Sequence, residues 1–154
     1  MKDKKVWRYR YERWIPRELA EDWTQILNLI LNNYRKITWI EEDKHGNKKL
    51  RRQTHAHAML TIQILKYKHE RKNTKAFAAQ RTFAKTMECS ERTIRRLMSN
   101  LKKVGLKIDR PNRNTTNRYT VGELIDRYLK AAGFPVEEAD KIPPDPDENK
   151  ESIA

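Results

Sequence analysis

Apolar residues recur at steps of three and four over Leu19, Trp23, Ile26, Leu27, Ile30, Leu31 and Tyr34, the spacing of one broad helical face. Pro16 suits the first turn of such a helix, and Glu18, Glu21 and Asp22 sit where the positive end of its dipole favours acids. A single helix is therefore expected over residues 17–36. Thr38, Trp39 and Ile40 then favour a strand and His45-Gly46-Asn47 a turn, so residues 37–53 read as a small hairpin whose second strand is almost all charge. Residues 54–70 carry two patterns. Ala56, Ala58, Leu60, Ile62 and Ile64 alternate as in a strand, while Ala58, Ile62, Leu65 and His69 align as in a helix. The length of the run and its Ala, Met, Leu, Gln and Lys content select the helix. Lys72 to Lys75 form a polar link, and residues 76–79 (AFAA) are a candidate short strand.

Beyond the link, a short helix is expected from about Arg81 to Met87, with Phe83 and Met87 facing inward and a small residue, Ala84, where a second helix crosses. Ser90 is a good N-cap for that second helix. Ile94, Leu97, Met98, Leu101 and Val104 make its buried stripe; at 100° per residue, Arg92, Arg96, Ser99 and Lys103 lie opposite, with Arg95 on the flank. Gly105 ends the helix. Leu106 and Ile108 alternate as a strand, Arg118 to Val121 supply its partner, and the polar residues 110–117 project between them. Leu124, Ile125, Tyr128 and Leu129 mark a last helix over 122–132 with Gly133 at its C-cap.

This order predicts a mainly α fold with a small β wing. A basic, aromatic arm, helix and hairpin fill residues 1–53, a winged helix-turn-helix 54–121, a C-terminal helix 122–134 and a disordered acidic tail 135–154. The tail holds seven acidic and two basic side chains, so the net charge of +13 leaves +18 on residues 1–134. A body that basic suggests a polyanionic partner. The single cysteine, Cys89, excludes an intrachain disulfide, fits a reducing cytoplasm and reads as a small buried core residue. The longest apolar run, Ile26 to Leu31, is broken by Asn28 and too short to span a bilayer.

The second helix of the pair has a greasy back and a long, donor-rich front. Residues near the N-terminus of such a helix reach base edges in the DNA major groove. Here those are Ser90, Glu91, Arg92, Thr93 and Arg96. Arg can donate two hydrogen bonds to guanine and Glu can accept from cytosine. Arg95 on the flank and Ser99 on the outward face are further DNA-binding candidates, and for Lys103, farther along, phosphate is the expected contact. Arg110, Arg113, Asn114 and Arg118 belong to the wing, which can follow the backbone or enter the minor groove.

Thr82 to Val121 resembles a bacterial winged-helix domain, and the closing Asn117-Arg118-Tyr119-Thr120-Val121 is similar to replication-initiation and regulatory proteins of phages and plasmids. The shared form is T-[LF]-A-x-x-[ML]-x-[VC]-S-x-R-T-[VI]-x-R followed by a hairpin ending in Asn-Arg-Tyr. The resemblance covers about a quarter of the chain. It implies DNA contact by Ser90, Arg92, Thr93 and Arg96, and wing contact by Arg113 and Asn114. One residue departs: Glu88 stands in the turn where many relatives have Gly or Asn. A left-handed backbone there would strain it.

His45, His55, His57 and His69 do not share a metal-binding spacing, and no phosphate-cradling loop or catalytic order is present, so neither a metal, a cofactor nor an enzyme is expected. The Trp7–Trp14 cluster can follow a phosphate backbone, stack on single strands, or pack on the domain; packing is preferred for aromatics in a small domain. Leu19, Trp23, Ile26 and Ile30 approximate a heptad seam, which leaves a homodimer and packing within one subunit both open. The function expected is sequence-specific binding of double-stranded DNA in the cytoplasm, on nucleoid or plasmid. The role is transcription regulator or replication initiator with a replication or transcription partner. Plasmid segregation and a protein-interaction module are the alternatives.

Overall fold

The computed structural model describes residues 7–71, 80–109 and 118–136. The chain opens with a hairpin of β1 (Trp7–Arg10) and β2 (Arg13–Pro16), followed by α1 (Arg17–Glu21), α2 (Trp23–Asn33) and one 3₁₀ turn (Tyr34–Lys36). A second hairpin pairs β3 (Thr38–Glu42) with β4 (Lys48–Arg52). Then come α3 (His55–Arg71), α4 (Gln80–Thr86), α5 (Glu91–Lys102), a third hairpin of β5 (Lys107–Asp109) and β6 (Arg118–Thr120), and α6 (Gly122–Ala131).

The two patterns that compete in residues 54–70 belong to one helix that is covered on several sides. Ala58, Leu60, Thr61, Ile62, Ile64 and Leu65 of α3 are all buried. α2 packs against one side and α5 against another. A helix enclosed in this way has no polar face, so its apolar residues need not repeat at 3.6. Tyr67 of α3 meets Phe83 of α4 edge-on at 5.8 Å, and Phe83 meets Tyr119 of β6 at the same separation. These rings tie the helix pair to the third hairpin. One apolar core runs from Tyr11 and Ile15 through α2, α3 and α5 to α6.

The expected 17–36 helix is divided. Asp22 is extended (φ −128°, ψ 107°) and its carboxylate accepts from the Thr24 backbone N–H at 2.9 Å, capping α2. An acid suited to a first helical turn suits an N-cap equally, and here it starts a new helix. The interruption breaks the heptad seam. Leu19, Ile26 and Ile30 are buried within the subunit, where α2 lies on α3 and α6.

Residues 7–16 form a packed hairpin rather than an extended arm. Its two-residue turn, Tyr11-Glu12, has φ of 58° and 61°, the type I′ form that usually recruits Asn or Gly. Tyr11 is buried and shares a hydrogen bond between its hydroxyl and His69 Nδ1 at 3.2 Å. The Glu12 carboxylate lies 2.8 and 2.9 Å from the buried Lys68 ammonium and accepts from the Val121 N–H at 3.1 Å. Arg10 donates to the carbonyls of Ala20 and His69, and Arg13 pairs with Asp126 and donates to the Val136 carbonyl. Trp7 and Trp14 pack together with Tyr9 as a small separate cluster.

Other boundaries differ in detail. The acidic tail was expected from Pro135, but Val136 is buried in the core, so the chain folds back before the acidic run begins. Cys89 and Met87 are half-buried, not enclosed, because both lie in the surface turn between α4 and α5. The last helix ends at Ala131, and Gly133 (φ 89°) follows as the left-handed residue. Residues 72–79, the loop 110–117 and the acidic run from 137 lie outside the described residues.

Replacing Glu12 by Gln leaves the buried Lys68 charge without its carboxylate. Unfolding free energy from urea titration is expected to fall by about 3 kcal/mol, and Lys68→Met in the same background to recover part of it. A loss below about 0.5 kcal/mol would show that the pair does not hold the fold.

Candidate nucleic-acid interface

α4 and α5 are joined through Met87, Glu88, Cys89 and Ser90. The Cys89 N–H reaches back to the Ala84 carbonyl at 3.0 Å and the Met87 N–H to Phe83 at 2.9 Å, closing α4. Glu88 adopts φ 54°, the left-handed position the sequence raised as a source of strain. Ser90 is extended, and its hydroxyl accepts from the Thr93 N–H at 3.1 Å while lying 3.0 Å from the Thr93 hydroxyl. The two hydroxyls therefore serve the helix start.

From that cap α5 divides cleanly. Ile94, Leu97, Met98 and Leu101 are buried, as is Val104 just beyond. Glu91, Arg92, Arg95, Arg96, Ser99 and Lys103 are exposed, and Thr93 is half-buried. Among the described residues none of Arg92, Arg95, Arg96 or Lys103 has an acidic partner. The outward face of α5 is thus a largely cationic surface, and an arginine row of this kind can donate to phosphate or to guanine edges.

The third hairpin follows directly. Gly105 (φ 119°) makes the turn possible, since a Cβ there would meet the Leu124 backbone N at 2.7 Å. Arg118 is tied across the hairpin to Asp109 at 2.9 Å, so its charge is balanced by its strand partner rather than offered freely. Arg110, Arg113 and Asn114 lie outside the described residues.

Sequence reading overlooked what lies behind α5. His57 is buried at the start of α3, edge-on to Trp39 at 5.5 Å. The Thr54 N–H donates to its Nδ1 at 2.9 Å, and Asn100 Nδ2 lies 3.0 Å from its Nε2. An Asn on the recognition-type helix is thereby anchored to the helix that supports it. Burial, and then the nearby Arg96 charge, lower the His57 pKa from 6.5 to about 4. Arg51 and Arg52 of β4 come to the same place, beside Arg96. Their only sequence signal was a charge run in a strand, which carries no tertiary address.

Residues 54–106, from the start of α3 to the end of the α4–α5 unit, match the family model of a helix-turn-helix domain. The match supports a helix-turn-helix DNA-binding domain over those residues. No curated protein and no solved structure matches the chain. No helix among the described residues is long and apolar enough to cross a membrane.

Glu88→Gly relieves the left-handed strain at a small entropic cost, and is expected to raise stability by about 0.5–1 kcal/mol in urea unfolding. A decrease would place Glu88 in an interaction that outweighs its backbone. His57 gives a pH dependence of defined sign. Below pH 6.5 the unfolded chain takes up a proton that the folded chain refuses until about pH 4. Stability should therefore fall across that window, by about 1 kcal/mol from pH 7 to 5.5. His57→Gln should flatten this part of the profile.

Proposed function

We propose that this chain binds specific double-stranded DNA by laying α5 in the major groove, with the β5–β6 hairpin as a wing. The observation that carries the reading is the division of α5: one face locked into the core, the other a row of arginines without acidic partners among the described residues, packed on α4. Arg92 and Arg96 read base edges near the helix start, with Glu91 as an acceptor. Arg95, Ser99 and Lys103 meet phosphate. Ser90 and Thr93 build the helix N-terminus that approaches the backbone, and Arg110, Arg113 and Asn114 extend the wing. The protein acts by binding rather than catalysis, inside the cell. Its role is that of a transcription regulator or a replication initiator, in keeping with the likeness of its Asn-Arg-Tyr ending to phage and plasmid proteins.

Selection of bound sequences from random duplex should return a defined site. On that site Arg96→Ala is expected to lose discrimination against mismatched duplex, whereas Lys103→Ala should weaken all duplexes alike and lower the salt slope by about one. Equal losses on cognate and random DNA for Arg96→Ala would count against base reading. A lone palindrome at a promoter supports regulation; clustered direct repeats support initiation.

A further inference from the structure

The β3–β4 hairpin carries five basic side chains, Lys44, Lys48, Lys49, Arg51 and Arg52. All five residues of β4 are exposed, so the strand covers nothing in the core. The hairpin is fixed to the body through β3, whose Trp39 is buried against His57, and through the Gln53 N–H, which donates to the Ile37 carbonyl at 2.9 Å. A strand held out in this way presents its side chains to solvent.

Its position narrows the choice. Arg51 and Arg52 form one wall of a groove of about 310 Å³ whose other wall is α5, with Arg96 and Asn100. Arg51 is balanced by Glu41 at 3.1 Å. Arg52 and Arg96 have no acidic partner among the described residues. Two guanidinium groups without an acidic partner among the described residues thus border one groove from two elements, with Glu41 also in its lining. A helix seated in a major groove about 12 Å wide has a phosphate backbone along each side. An element that shares a groove with that helix must come near one of those backbones.

We infer that the β3–β4 hairpin is a second nucleic-acid contact, gripping the phosphate backbone beside the bases that α5 faces. The inference rests on the reading of α5 as the DNA-facing helix. Arg52 is the principal contact, its guanidinium suited to two oxygens of one phosphate. Lys48, on the same face of the strand as Arg52, continues the track, and Lys49 lies on the alternate face opposite Glu41. The outward face also shows Ile40 and Leu50, paired across the strands and 57% and 63% exposed. That single apolar pair lies between Thr38–Arg52 and Glu42–Lys48. It is far smaller than the roughly 800 Å² per partner of a stable protein interface, which favours the polyanion over a second protein.

The test uses the full chain and two duplexes, the selected site and a random sequence, over a series of salt concentrations. Arg52→Ala should weaken both by a similar factor, about fivefold, and lower the slope of log affinity against log salt by about one. The Lys48→Ala/Lys49→Ala double variant should lower it further, and thermal midpoints should stay unchanged because these side chains are exposed. Unchanged affinity and slope in both variants, while Arg96→Ala still weakens binding, overturns the hairpin contact and leaves the α5 reading standing. Absence of duplex binding by the unaltered chain overturns both. A change in sedimentation on Ile40→Lys, with salt slopes unchanged in the hairpin variants, assigns the hairpin to self-association and equally overturns the proposal.

Discussion

The arrangement of this molecule depends on one carboxylate. Glu12 occupies a left-handed turn position, a placement that costs a non-glycine residue about 1–2 kcal/mol. The surroundings offset that cost. The carboxylate faces the buried Lys68 of α3 and takes the N–H of Val121, the residue between β6 and α6. Three segments far apart in the chain are thereby held at one point. The backbone approach is so close that a Cβ on Gly122 would lie 2.8 Å from the Glu12 carbonyl oxygen. With α3 and the β6–α6 junction fixed to each other, the support behind α5 and the base of the third hairpin are set together. The base of that hairpin is therefore held by an ion pair that the N-terminal hairpin supplies.

A second buried polar group works on α5 itself. His57 accepts from the backbone before its own helix and meets Asn100 with its other nitrogen. Neutral, it keeps an acceptor for the Thr54 N–H and leaves the positive field on the outer face to the arginines. Protonated, it would lose its acceptor and add a charge beside Arg96. Burial keeps the ring in the first state over ordinary pH, so the underside of α5 stays uncharged while its exposed face stays strongly basic.

Elements with one wet face were legible in the sequence. α5 and α6 followed directly from their 3.6-residue spacing, and the second hairpin from Gly46 between a β-rich and a charged run. The face of α5 that stays exposed was equally legible, because it is simply the complement of the stripe that is buried. What escaped has a common cause. The Tyr11-Glu12 turn has neither Gly nor Asn, since tertiary contacts of Glu12 rather than local preference stabilise it. The break at Asp22 is hidden because an acid fits the interior of a first turn and an N-cap alike. α3 was ambiguous because a helix enclosed by its neighbours loses its period. The approach of Arg52 to Arg96 is a meeting of two elements that local patterning does not encode.

That meeting changes how the charge of the chain is to be understood. A net +13 describes a composition, but the cations are not all alike in the fold: Arg13 pairs with Asp126, Lys68 with Glu12, Arg118 with Asp109 and Lys107 with Glu123. Arg10 is turned inward to two carbonyls. Among the described residues, Arg92, Arg95, Arg96 and Lys103 on α5 remain without a compensating acid, and Arg52 beside them. Folding thus groups these five cations on one helix and the strand beside it, where a polyanion would meet them together.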